Sequence, residues 1–227
     1  MRELNEQGFD LSQASVSRLL SRLDEAGFTA SVGRKGRILT PSGRSLADTM
    51  LKQDARATGL STALDVTHIE QLLDLLRARR GIEREIVRVA AKRATAADLD
   101  KLEKAWLDHE AMVQESSYRG RVANKFHKVL VRTAHSALFE TLSAAILYDA
   151  LDALDPLLFL ITSWNGTVRD APDEHRLIVE ALRARDADTA ERIIDEHLSR
   201  LIHEVEAFQK NDQEGLFTSL LSLTASM

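Results

Sequence analysis

The stretch from Asp173 to His203, DEHRLIVEALRARDADTAERIIDEHLSRLIH, constrains the fold of this chain more than any other. It carries apolar residues at the helical period on both sides of ARDAD, which predicts two helices joined at that point. His175 opens the first helix and His197 lies in the middle of the second, 22 residues on. A third histidine, His127 in NKFHKVL, falls on another helix able to pack against these two. Three imidazoles converging inside an aliphatic bundle would make a site.

The rest of the chain is also helix-rich. Three Pro and ten Gly in 227 residues are too few for a strand-and-turn architecture. With no Cys, disulfides, thiolate metal sites and a cysteine nucleophile are excluded. No apolar run reaches the roughly 18 residues a membrane span needs, and MRELNEQG lacks the apolar core of a signal peptide, so a cytoplasmic protein is expected. The formal net charge of −5 argues against wholesale coating of nucleic acid. It leaves room for a small basic reading head on an acidic body.

Residues 1–50 supply such a head. MRELNEQG reads as the last turns of a helix ended by Gly8. Ser12 then caps QASVSRLLSRLDEAG, and Gly27 closes it. FTASVG, RKGR and ILTPSG follow as strand, tight turn and strand before the helix RSLADTMLKQ. Helix, turn, helix and a basic-tipped hairpin predict a winged helix-turn-helix. Ser12, Gln13, Ser15, Ser17, Arg18 and Arg22 lie on the leading and outward faces of its recognition helix. Arg34, Lys35 and Arg37 tip the wing, within reach of phosphates or the minor groove. From Ser12 to Arg44 six basic residues face two acidic ones, a local balance of +4. A winged helix used only for protein contact is the competing reading.

Residues 51–66 read as a linker, and residues 67–210 as an antiparallel bundle of six or seven helices, mainly α, with no convincing strand. Asp65 or Thr67 caps a helix from His68 to Arg93. Thr95 and Asp98 form a capping box for the next. A third helix covers about 119–132. Ser136 caps a fourth that Pro156 breaks. Asp188 and Glu191 are the expected capping pair of the last helix. The tail, 211–227, has no clear period.

The head resembles the winged-helix heads of bacterial repressors, with ASVSRLLSRLDEAGF and GRKGRILTPSG matching their pattern. It is similar to the type found at the front of ribonuclease R and of nitrogen-regulatory repressors. Such heads begin with one more helix, and this one is read as N-terminally incomplete. The body, about residues 68–208, resembles the FCD domain of FadR-type regulators in the GntR family. The carrying blocks are LRARRGIEREIVRVAAKRAT, ADLDKLEKAW, NKFHKVLVRTAHSALFETL and DEHRLIVEALRARDADTAERIIDEHLSRL.

That resemblance implies a divalent metal, zinc or nickel, held by His127, His175 and His197. The family adds an Asp four residues before the first His, and here Ala123 stands in its place. Asn124 is one residue away. The metal is therefore expected to be short of a ligand, with an open position for water or an effector carboxylate. Arg79, on the family's Arg position, is expected to face an effector cavity, with a simple ion pair to Glu83 as the alternative. Arg79 and Asn124 are the expected effector contacts. His68, His109 and His135 read as satisfied surface or core residues, and His203 points away from His197. Phe126 reads as core, and Asp186 as a cap. The implied function is a dimeric DNA-binding regulator whose body senses a small organic acid and which reads a double-stranded operator. Alternatives are a metal-dependent hydrolase using the open site, and a ligand-sensing bundle without DNA binding.

Overall fold

Ser12 caps the first helix of the computed structural model, which describes residues 12–33, 36–115, 122–211 and 215–224. Its Oγ accepts the Ser15 amide at 3.1 Å, and α1 spans Gln13–Glu25. Gly27 at φ +75° ends the helix, with the Phe28 amide reaching back to the Leu23 carbonyl at 2.9 Å. That left-handed position suits glycine, which has no Cβ to clash. Strands β1 (Thr29–Ser31) and β2 (Arg37–Leu39) pair antiparallel, with Thr29 opposite Leu39. The wing-tip residues Arg34 and Lys35, and the expected helix end over MRELNEQG, lie outside the described residues.

Helix α2, Pro41–Leu64, starts earlier than expected. Thr40 is its cap, its Oγ1 accepting the Gly43 amide at 3.0 Å, and Pro41 takes the first helical position. A Cβ on Gly43 would lie 1.8 Å from the Phe28 carbonyl oxygen, so only glycine permits this close approach. The stretch read as a linker is helical as far as Leu64. Its single glycine, Gly59, costs a helix only about 1 kcal/mol, which the Ala- and Leu-containing remainder tolerates.

The chain divides near residue 62 into two compact units. In the second, α3 (Ile69–Arg93), α4 (Ala96–Gln114), α5 (Val122–Thr133), α6 (Ala137–Ala144), α7 (Leu151–Trp164), α8 (Asp170–Arg183), α9 (Ala187–Asn211) and α10 (Leu216–Thr224) build a helical bundle. Residues 119–121 of the expected third helix lie outside the described residues. Among the described residues the body has no strand, as its composition predicts.

Local signals explain most helix starts. Gln71 Oε1 reaches back to the Thr67 and His68 amides at 2.8 and 3.0 Å, so it opens α3 in place of Asp65. Thr95 and Asp98 bond reciprocally at 3.2 and 3.0 Å, the predicted capping box. For α9, Asp186 accepts the Thr189 amide at 3.0 Å. Asp188 and Glu191, expected to cap, instead hold Arg88 at 2.7 and 2.6 Å. With α9 starting at Ala187, Asp186 is the residue that caps it, as read, and Asp188 and Glu191 fall inside the helix.

Helix α3 lies antiparallel to α9. The pairs Arg77–Glu206, Arg80–Asp195, Arg84–Glu191 and Arg88–Asp188 descend one helix as they climb the other. These exposed pairs are worth little singly, so the apolar seam of Leu72, Leu76, Ile86, Ile194, Leu198 and Val205, all fully buried, carries the packing.

Pro156 does not break its helix; it lies inside α7. The irregularity sits just before α7, where Ala145–Ala150 winds as a π-helix and the Leu151 amide bonds the Ile146 carbonyl. The aperiodic tail folds as α10 against α7, burying Phe217 to 3% exposure. Its apolar residues find a surface to cover, which local periodicity does not report.

Candidate metal centre

Four helices bring the polar interior together. Helix α3 supplies Arg79 and Glu83 one turn apart on a face otherwise filled by Leu72, Leu76, Ile86 and Ala90. Helix α5 supplies His127, α8 supplies Glu174 and His175, and α9 supplies His197 and Arg200. The three histidines are buried, and one nitrogen from each lies within 4.8 Å of the others. His127 Nε2 and His175 Nε2 stand 3.1 Å apart. The three imidazoles singled out from sequence thus meet.

Each ring is held from behind. His127 Nδ1 bonds Glu83 Oε2 at 2.6 Å, and Glu83 Oε1 accepts Arg79 Nε at 2.7 Å. His197 Nδ1 bonds Glu174 Oε2 at 2.6 Å, and Arg200 bonds both Glu174 oxygens at 2.8 and 2.5 Å. Two Arg–Glu–His chains therefore run to the site from opposite helices. A carboxylate on Nδ1 fixes the N–H there and turns the Nε2 lone pair inward, the arrangement a metal-binding imidazole needs. His175 differs, because its Nδ1 lies 3.3 Å from His109 Nδ1. Phe126 stacks on His175 with centroids 3.8 Å apart and planes 8° off parallel, fixing the ring's tilt.

The electrostatics favour neutral rings. Burial, then the Arg79 charge and the other imidazoles, pushes His127 well below the usual histidine range. Burial, then His197 and the other rings, does the same to His175. Burial, then His197, lowers His109 to about 4. Burial alone would raise Glu174, but bonds from Arg200 and His197 outweigh it and hold the carboxyl at about 2. Neutral imidazoles are ready-made nitrogen donors.

A cavity of about 70 Å³ opens onto this cluster, lined by Arg79, Asn124, Asp155 and Arg200 among others. That is room for a few waters or a very small acid. Arg79 is both things its position suggested, an ion pair with Glu83 and a cavity wall. Its Nη2 is buried without a partner among the described residues. Ala123 lines the cavity and offers no side-chain oxygen. Asn124 turns its amide nitrogen to the Leu147 carbonyl at 2.5 Å and to Asp152 at 2.7 Å, leaving Oδ1 without a partner among the described residues.

Several residues were missed in the sequence. His109, read as a bystander, lines the cavity and touches His175. Glu174, which the sequence did not single out, supports the histidine of the neighbouring helix. Arg200 sits three residues after His197, one helical turn, a spacing that could have flagged it. His203 is exposed, and His135 is an exposed partner of Asp98 at 2.7 Å. Glu196 is paired with Arg192 on the surface.

In the head, Gln13, Ser17, Arg18 and Arg22 are exposed. Ser12 and Ser15 bond each other at 2.9 Å, so both are engaged at the helix start. Arg37 stands opposite Ser31 at the turn end of the wing, and its Nε is engaged by Asp24 at 2.7 Å.

A winged-helix head and a helical body in one chain define a class of DNA-binding regulator. The family comparisons divide the chain the same way: the FCD domain matches residues 74–200, and the ribonuclease R winged-helix domain matches residues 1–46. The chain belongs to the FCD-containing, FadR-type branch of the GntR family of transcription regulators. The HTH-type transcriptional repressor NanR of Cronobacter sakazakii is 30% identical over 197 residues, covering 84% of this chain and 70% of that one. NanR of Salmonella arizonae is 28% identical over 211 residues, covering 91% and 75%. Among solved structures, E. coli McbR/YncC has a similar fold, with a TM-score of 0.52 at 16% identity over 93% of this chain and 86% of that one. The NanR relatives are transcriptional repressors, which sets the hydrolase reading aside.

Proposed function

We propose that the chain is a metal-dependent sensor of a small carboxylate that controls its own grip on operator DNA. The observation that carries this reading is the cluster of His127, His175 and His197 beside a buried guanidinium with a free Nη2. Bound there, a zinc or nickel ion would supply a Lewis-acid anchor for an anion. The three imidazoles suit such an ion, and Ala123 adds no ligand charge, so an effector carboxylate has a position to take. Arg79 Nη2 would pair with the acid, and Asn124 Oδ1 would accept a hydroxyl or amide from it.

Two copies would present two heads to a near-palindromic operator, with Gln13, Ser17, Arg18 and Arg22 facing bases and phosphates and Arg34 and Lys35 at the wing tip. Acting on genomic DNA, the protein would work in the cytoplasm. Effector binding would change operator affinity by favouring one placement of the heads, a coupling of about 5–150-fold in this kind of system.

The test is titration of the full chain against its own upstream DNA at two salt concentrations, with and without zinc and a panel of small organic acids. The expected result is salt-dependent binding that shifts at least fivefold with one acid. Arg79→Ala would abolish the shift and leave DNA binding intact. Binding that no acid moves, or an unchanged shift in Arg79→Ala, overturns the proposal.

A further inference from the structure

His109 has no place in the family's ligand pattern, yet it is 3% exposed, lines the cavity and meets His175 Nδ1 to Nδ1 at 3.3 Å. The reason lies in proton bookkeeping among the four rings. Glu83 and Glu174 are carboxylates and only accept. Glu83 keeps the N–H of His127 on Nδ1, so its Nε2 carries a lone pair whether or not a metal is bound.

His175 is placed differently. Its Nε2 faces the lone pair of His127 Nε2 at 3.1 Å. In the empty site the two lone pairs repel unless His175 carries its proton on Nε2 and donates it to His127. Its Nδ1 then needs a donor. In the metal-loaded site His175 Nε2 must be bare, its proton sits on Nδ1, and Nδ1 needs an acceptor. A carboxylate behind His175 could serve only the loaded state. A neutral imidazole serves both, because either tautomer is open to it.

We infer that His109 is a tautomer-switching positioning residue for the metal site, donating to His175 when the site is empty and accepting from it when the site is loaded. The protons balance without a change of charge. His175 Nε2 releases its proton to cavity water, the His109 Nδ1 proton crosses to His175 Nδ1, and His109 takes one from water at Nε2. The inference rests on the reading of the three histidines as metal ligands.

The experiment is long-range proton–nitrogen NMR of histidine-labelled full chain, zinc-free and zinc-loaded, with zinc affinity measured by chelator competition. His175 is expected to move its N–H from Nε2 to Nδ1 on loading, while His127 and His197 keep theirs on Nδ1. His109→Leu should weaken zinc about 10–100-fold. His109→Asn, whose amide can turn to donate or accept, should recover most of that loss. An unchanged His175 tautomer, or zinc affinity in a folded His109→Leu within twofold of wild type, overturns the inference while leaving the metal reading intact. Wild-type protein that binds no zinc overturns both. Should His109→Leu fail to fold, the wild-type tautomer spectra still decide.

Discussion

Helix α1 of the head and the interior of the bundle treat polar side chains in opposite ways. Helix α1 has no fully buried residue; Arg18 and Arg22 reach into solvent and Leu19 is half exposed. In the bundle Arg79, Glu83, His109, His127, His175 and His197 are nearly sealed from water, and each has a polar partner. A surface that must exchange water for DNA phosphates gains from cations held loosely. A site that must present lone pairs in one direction needs every ring fixed. The cost of error differs accordingly: in the head a lost side chain is a lost contact, while in the bundle it strands a buried charge.

That contrast breaks first at Glu83. Glu83→Ala leaves Arg79 and His127 buried without their shared acceptor, and the body should lose about 3–5 kcal/mol in urea denaturation. A loss below about 1 kcal/mol would mean the interior is not held as tightly as the hydrogen bonds imply. Next comes the head. Arg18→Ala with Arg22→Ala should cost about 1–3 kcal/mol of operator binding and flatten its salt dependence. The body's thermal midpoint should stay put, since exposed substitutions change stability by roughly 0.5 kcal/mol or less.

The smallest effect falls at the start of α4. Thr95→Ala should cost about 1 kcal/mol in the same denaturation assay. Bonds from the Thr95 hydroxyl and amide hold the Asp98 carboxyl at about 2 in the folded chain, against about 3.9 when unfolded. A carboxyl depressed by folding stabilises above its unfolded value and loses that contribution as pH falls. The stability gap between wild type and Asp98→Asn should therefore close as pH drops from about 4 toward 2.

The same contrast governs what could be read from the sequence. The helices, the Thr95–Asp98 cap and the wing follow from local chemistry and were legible. His127, His175 and His197 were legible through their place in a family pattern. The supports behind them were not: Glu83 and His109 sit on helices whose rotation is set by packing, and no spacing along the chain records it. Glu174 is the clearest instance. It is the sequence neighbour of His175 yet serves His197, because successive residues on a helix point about 100° apart.

The π-helical turn at Ala145–Ala150 has a consequence for how the cavity wall is aimed. A π-turn is an α-helix with one residue too many, and each residue turns a helix by about 100°. The surplus at Ala145–Ala150 sets which side of α7 looks inward, and so brings Leu151, Asp155, Leu158 and Thr162 to the cavity. It also spares the Leu147 carbonyl from the Leu151 amide, which reaches back to Ile146, and Asn124 uses it. Removing a single residue from this turn would swing the wall by about a quarter of a revolution and unseat Asn124. The lining of the cavity is thus adjustable by insertion or deletion alone, with every side chain that faces the histidines left unchanged.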